Sequence, residues 1–278
     1  MSNRCFTRRE FLGTAAALSA PVIVPGSIFR PDKIDDVRLS PDSLRKVDAA
    51  SVNYFGCSLE ELKGDETHVL THYVYACYRS ALVFRHAKSC IVSVPHCVPD
   101  VERSQFRAVR PAEAFDPRFL AKTFLVSAAR VHGPNWIGIV DRTAHTPVQS
   151  VARVLGDADE PALRKLAVGC GGLENGSIRN RLPKRLFGMF RGEDLVSVSG
   201  SFALGDIANV FVMVHPDYRG KVYGKHVLSA AVADAITTGY VVTWSTRESN
   251  LGAVTFAKSL GFHAYASIVK VEIEEDTF

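Results

Sequence analysis

Val212-Met213-Val214-His215-Pro216-Asp217-Tyr218-Arg219-Gly220-Lys221-Val222-Tyr223-Gly224-Lys225 is the stretch whose reading decides the fold. An apolar run ends at a proline, a basic turn with glycines follows, and an amphipathic pattern begins straight after it. This is the signature of a strand that enters a turn at a helix N-terminus. The first N–H groups of a helix lack internal acceptors and its dipole favours negative charge there, so the place suits a pyrophosphate. Glycine admits positive φ and lets the backbone approach phosphate oxygens. Arg219, Lys221 and Lys225 supply the complementary charge.

Outward from this turn the elements alternate regularly. Upstream, 150–155 reads as a strand, and Asp157 or Asp159 can cap a helix with Pro161 in its first turn that runs over 162–168. A glycine-containing loop over 170–183 leads to a hairpin, with strands 186–190 and 195–202 and a turn at Arg191-Gly192-Glu193-Asp194. The strand 206–214 enters the basic turn. Downstream, Val227, Leu228, Ala231, Val232, Ala235 and Ile236 mark one face of a helix that Gly239 stops. A strand over 240–245, a helix over 250–260 closed by Gly261 and Phe262, and a strand over 264–273 complete the unit.

The order of these elements and two motifs resemble the GNAT superfamily of acyl-CoA N-acyltransferases. One motif is the basic turn, similar to the superfamily's pyrophosphate loop. The other is Asn250-x-x-Ala253-x-x-Phe256-x-x-x-x-Gly261-Phe262, similar to its helix beside the CoA arm. The resemblance covers 150–273. It implies an α/β (α+β) fold with a mixed, mostly antiparallel central sheet flanked by helices, preceded here by a smaller α/β domain. It implies acetyl-CoA as cosubstrate, held by Val212, Met213, Val214, Arg219, Gly220, Lys221, Val222, Tyr223, Gly224, Lys225, Asn250 and Phe256. It also implies direct attack of an amine on the thioester in a ternary complex, the acceptor being a small-molecule or protein amine. In this chain Val222 stands at the first glycine position of the loop, and Ala257 stands where many relatives carry a tyrosine that protonates the departing thiolate. No carboxylate lies between Ile207 and His215, so Glu248 is the leading candidate for general base, with His215 as a weaker alternative; Tyr223 is a candidate proton donor that packing in the turn would compete for. The missing tyrosine also leaves open a CoA-binding sensor or accessory domain without catalysis.

The rest of the chain frames this reading. At 278 residues it has room for two domains, divided as 1–30, 31–145 and 150–278. In 31–145 a helix over 42–54 ends at Gly56, and a helical turn follows at 58–62. Segments 73–77, 80–84 and 89–94 read as strands, 107–130 as mostly helical with interruptions at Pro111 and Pro117, and 136–140 as a closing strand. A net charge of +4 without a dense Lys/Arg block argues against nucleic acid. His68 and His72 are spaced for one helix face but have no third ligand, so no metal is expected.

Thr7-Arg8-Arg9-Glu10-Phe11-Leu12 followed by an alanine-rich run resembles a twin-arginine export signal, so 1–30 reads as a leader or disordered extension. That run is too short and too broken by Pro21, Pro25 and Gly26 to span a membrane. Scattered cysteines without C-x-x-C spacing, together with acetyl-CoA use, favour the cytoplasm; the leader-like start favours export as the alternative. Acceptor identity and oligomeric state are not legible.

Overall fold

A computed structural model describes residues 39–72, 80–96, 98–171, 182–183 and 185–273. The leader-like segment, the expected strand at 73–77 and most of the 170–183 loop lie outside the described residues. Helix α1 spans Pro41–Phe55. It forms where Ser40 Oγ accepts the Ser43 N–H at 3.1 Å and Pro41 presets the first turn. Gly56 ends it with φ 72°, donating its N–H to Val52 O at 2.8 Å. Helix α2 (Leu59–Lys63) starts in a reciprocal Ser58–Glu61 capping box.

Strands β1 (Thr67–His72), β2 (Ser80–His86) and β3 (Ser89–Pro95) follow. His68 and His72 therefore lie on an extended strand, where four residues span about 13 Å, and not on one helix face. Helix α3 (Asp100–Ser104) comes next, and the region 107–130, expected to be mostly helical, forms α4 (Pro111–Ala114), α5 (Pro117–Thr123) and one 3₁₀ turn at Ala128–Arg130. Pro111 and Pro117 each occupy the first turn of a short helix, so they start helices where the sequence reading took them as interruptions.

Strand β4 (Val131–Val140) is longer than expected, whereas β5 (Arg153–Val154) is all that forms of the strand expected at 150–155. Then come α6 (Glu160–Gly169), β6 (Leu186–Arg191), β7 (Asp194–Leu204), β8 (Ile207–Val214), α7 (Tyr223–Thr237), β9 (Val241–Arg247), α8 (Leu251–Lys258) and β10 (His263–Glu272).

All the described strands join one sheet, ten strands among the described residues, in the order β1-β3-β2-β10-β4-β9-β8-β7-β6-β5. It is mostly antiparallel; β1–β3 and β8–β9 are the parallel pairs. Strand β10 inserts between β2 and β4, and β4 pairs with β9, so the sheet is continuous across residues 145–150. Alternating side chains fill both faces. Val83, Val92 and Val269 pack under Phe106, Leu120 and Phe124, while Leu82, Phe84 and Ile268 share a core with Val47 and Phe55 of α1. On β8, Phe211 and Met213 pack with Leu163 and Leu166 of α6, and Val212 and Val214 lie against the start of α7. Helices α1 and α6 thus cover one face, and α7 and α8 the other.

Asp141, buried just beyond β4, fastens α1 to this frame. One carboxylate oxygen accepts the Ser40 N–H at 2.8 Å; the other accepts the Thr143 and Ala144 N–H groups at 2.9 and 3.0 Å and the Thr143 hydroxyl at 2.8 Å. Burial alone would raise this carboxyl, but these donors, with Ser43, bring it down to about 2. A depressed carboxyl stabilises the fold above its unfolded value, and that contribution fades as pH falls toward 2. Asp141→Ala is expected to cost about 3 kcal/mol in urea unfolding at pH 7, because it strands several buried donors. The loss should shrink markedly by pH 3; an equal loss at both values would refute this role.

Candidate active site

The basic turn is built as its residues demand. His215 opens a 3₁₀ turn over Pro216–Tyr218, Gly220 takes φ 72°, and α7 begins at Tyr223. Val222 occupies the N-cap position without any side-chain cap. The N–H groups of Lys225 and His226 reach Val222 O at 3.0 and 3.2 Å, which leaves those of Tyr223 and Gly224 with no acceptor inside the helix. Gly224 fits tightly: a Cβ there would lie 3.1 Å from Val214 Cγ2 and 3.8 Å from Phe256 Cζ. A side chain at 224 would therefore close the gap between α7 and α8.

The pairing of β8 with β9 is short. Ile207, Ala208 and Asn209 face Val241, Val242 and Thr243; beyond them the strands part. Among the described residues, Val210–Val214 keep β7 on one side and have no strand on the other. A cleft of about 560 Å³ opens there on the α7–α8 side. Val212, Met213, Val214, Arg219, Gly220, Lys221, Gly224, Asn250 and Phe256 line it, so nine of the twelve cofactor residues expected from sequence share one cavity.

The other three do not line it. Val222 is 61% exposed. Tyr223 turns to stack edge-on against Tyr218 at 5.6 Å and accepts from Arg191 at 3.3 Å. Lys225 also lies outside the lining, because a helix start presents its residues around the axis and only some face the cleft.

Arg219 donates Nε–H to Val214 O at 3.3 Å, and Lys221 donates to Asp217 O at 3.3 Å while sitting 5.0 Å above the Tyr218 ring. Among the described ion pairs neither cation engages a carboxylate, so their positive charge faces the cleft mouth uncompensated. Asn250 caps α8 by accepting the Ala253 N–H at 3.1 Å. Trp244 packs edge-on against Phe256 at 5.6 Å and walls the cleft on the β9 side.

A second cavity, of about 470 Å³, lies on the α1 side. Its walls include Ala50, Ser51 and Tyr54 of α1 and Phe84, Ile137 and Ile268 of the sheet. The two cavities share Asn209, Trp244 and Ser245, the residues at the point where β8 and β9 separate. Asn209, Thr243 and Ser245 bring neutral polar groups to that throat, with the Thr243 hydroxyl donating to Asn209 Oδ1 at 3.4 Å. Sequence reading missed these residues. The available signal was three polar side chains at period-2 or paired positions in otherwise apolar strands.

Glu248 follows β9 and lies outside both linings. Its carboxylate accepts a short hydrogen bond from the Ser267 hydroxyl, and its N–H donates to Pro134 O at 3.0 Å. Burial raises its carboxyl, with Ser267 and Arg85 pulling the other way. His215 is spent locally: its Nδ1 accepts the Asp217 N–H at 3.4 Å and its ring packs against Tyr218 at 5.8 Å. Ala257, at the position of the missing tyrosine, is fully buried.

Residues 174–262 match the acetyltransferase (GNAT) family. Residues 174–262 thus correspond to a GNAT acetyltransferase-family domain model. Among solved structures, the chain is similar to a GNAT-family acetyltransferase from Colwellia psychrerythraea, with 20% identity, TM-score 0.45, and coverage of 52% of this chain and 57% of that one. It is also similar to a putative GNAT-family acetyltransferase from Novosphingobium aromaticivorans, with 22% identity, TM-score 0.42, and coverage of 52% and 66%. A third, a putative acetyltransferase from Salmonella typhimurium described with its cofactor acetyl-CoA, has 15% identity, TM-score 0.35, and coverage of 46% and 96%. The match thus spans little more than half the length of the first of these chains. No curated protein matches.

Proposed function

We propose that this chain is an acetyl-CoA-dependent N-acetyltransferase, acting by direct transfer in a ternary complex. The observation that carries the reading is the meeting of two cavities, one beside a basic helix start and one on the opposite sheet face, at the gap between β8 and β9. In this reading the pyrophosphate sits on the Tyr223 and Gly224 N–H groups with Arg219 and Lys221 beside it. The pantetheine arm follows the open edge of β8, whose N–H groups offer a donor to the thioester oxygen. The acceptor enters from the α1 side. Its nitrogen forms the new bond to the carbonyl carbon, the C–S bond breaks, and the thiolate takes up a proton to leave as free CoA. With Ala257 at the position of the usual donor, that proton comes from solvent. Cytoplasmic action follows from the need for acetyl-CoA, and the free thiols of Cys57, Cys90 and Cys170 accord with it.

Glu248 is the proposed acceptor of the proton released by the amine. Its raised carboxyl is suited to work near neutrality, relayed through polar groups such as Thr246 on the cleft wall. Because the base must be ionised, activity should fall as pH drops through a value above the ordinary glutamate range. Glu248→Gln keeps a partner for Ser267 and removes the base. It should lower kcat about 10- to 100-fold, abolish that acidic limb, and leave the KM for acetyl-CoA unchanged. Retained kcat with an unaltered pH profile would reduce Glu248 to a pin between β9 and β10.

One observation favours a second reading, CoA binding without transfer: Ala257 is buried where a donor is usual, and Glu248 lines neither cavity. Calorimetric titration of acetyl-CoA into the full chain tests what both readings share. Both expect saturable binding at one site; no binding would remove both.

A further inference from the structure

The second cavity has a chemistry of its own, and it bears on which amines the chain accepts. Aromatic and aliphatic side chains make most of its wall, and its depth comes from the small residues Ala50 and Ser51 on α1. Its inner polar groups are neutral: Asn135, Asn209, Thr243 and Ser245. Among the described lining residues the charged ones are Lys46 and Asp206. Lys46 is already ion-paired with Asp42 at 3.3 Å, and Asp206 is exposed in the turn between β7 and β8. Nearby Asp48 is also committed, to Lys63 at 2.7 Å and to the Tyr265 hydroxyl at 2.9 Å.

An alkylammonium moved from water to this throat would lose its hydration and, among the described lining residues, would find its nearest carboxylate only at the exposed rim, on Asp206. With a pKa of about 10.4 it is neutral in only roughly one molecule in a few thousand at pH 7. A polyamine would add further unpaired charges. An arylamine is neutral at that pH, presents a free lone pair, and carries an aromatic body that suits Tyr54 and Phe84. After attack its nitrogen becomes strongly acidic, so a weak, indirectly placed proton acceptor suffices.

We infer that the acceptor is a weakly basic amine on an apolar aromatic body, an arylamine, seated between α1 and the sheet. This rests on the acetyltransferase reading for its reaction and on the α1-side cavity for its substrate. The α1 wall of this cavity therefore precedes the GNAT-matched residues 174–262 by more than a hundred positions.

The test uses the full chain, acetyl-CoA, and three amines: 4-ethylaniline, hexylamine of similar apolar bulk, and spermidine. Free CoA release is followed at pH 7.5. The expected result is a kcat/KM for 4-ethylaniline about 100-fold or more above that for either alkylamine, since one full charge must otherwise be shed. Ala50→Phe, which fills the cavity from α1, should raise the KM for 4-ethylaniline at least tenfold while the calorimetric Kd for acetyl-CoA stays within twofold. That unchanged Kd also certifies the fold, and Ala50→Leu supplies a milder filling if the phenyl ring is not tolerated. Equal or better turnover of spermidine or hexylamine would overturn the inference and leave the acetyltransferase reading intact. Should acetyl-CoA fail to bind at all, that reading falls, and 4-ethylaniline binding is then read alone by thermal shift. A rise in Tm for the wild type that Ala50→Phe abolishes supports the arylamine cavity; no rise overturns it.

Discussion

Replacing Arg219 and Lys221 together by alanine will weaken acetyl-CoA binding by about 100-fold at low salt. Both side chains line the cleft mouth and neither meets a carboxylate among the described residues; each donates to one backbone carbonyl at 3.3 Å, with Lys221 also over the Tyr218 ring and Arg219 beside Cys170. A charge-assisted bond to phosphate contributes about 1.5–3 kcal/mol, and solvent screening at an open mouth holds each near the lower value. Two such losses come to about 3 kcal/mol, or roughly two powers of ten in Kd. The wild-type Kd should rise with ionic strength and that of the double variant much less. The Tm should hardly move, because these groups hold no core element. A Kd within threefold of wild type would mean that the turn does not carry the pyrophosphate.

Gly261→Ala is expected to abolish stable folding at 37 °C. Gly261 stands at the end of α8 with φ 92°, a conformation an L side chain rarely adopts. An added Cβ would also overlap the Ala144 carbonyl oxygen and lie 2.8 Å from its carbon and 3.1 Å from His145 Cα. These are backbone atoms, held by the Thr146 N–H bond to Leu260 O at 3.1 Å and by the Asp141 turn, so no flexible side chain can yield. Strain and overlap together should cost more than about 4 kcal/mol, the range reserved for such mechanisms. Urea denaturation of Gly261→Ala beside wild type measures this, and a midpoint close to wild type would show that the 141–146 segment is not clamped as described.

Gly261 also shows how much was legible. The sequence reading used it as a helix stop within a motif, and it is one; its contact with Ala144, over a hundred residues earlier, had no local signal. The same division holds for the sheet. The turn at Arg219–Lys221 and the strands and helices around it follow from local periodicity, glycines and caps, so their order was readable. The insertion of β10 between β2 and β4 was not, because strand pairing between distant segments leaves no trace in either strand alone. Short helices after Pro111 and Pro117 were misjudged for a related reason: a proline that starts one helix looks the same, in sequence, as one that breaks a longer one.

In the site, the turn residues that line the cleft were legible from charge and glycine spacing. Val222, Tyr223 and Lys225, expected from the loop motif and from charge, have side chains outside the cleft lining. Asn209, Thr243 and Ser245 escaped notice because each is an ordinary polar residue. Only the parting of β8 and β9 gives them a shared position between two cavities. The α1 wall was hidden for the same reason, since nothing local in Ala50 or Ser51 announces that they border a site formed by strands far along the chain.

The central claim is that an acetyl group passes through the gap between β8 and β9 from CoA on one face to an amine on the other. The most direct measurement is release of free CoA from acetyl-CoA by the purified full chain, with the acylated product identified by mass spectrometry, in the presence and absence of amine. The account predicts release that depends on the amine and matches it one for one with an N-acetyl product 42 Da heavier, as any such transfer requires. Saturable acetyl-CoA binding with no amine-dependent release, across aromatic and aliphatic amines alike, would contradict it.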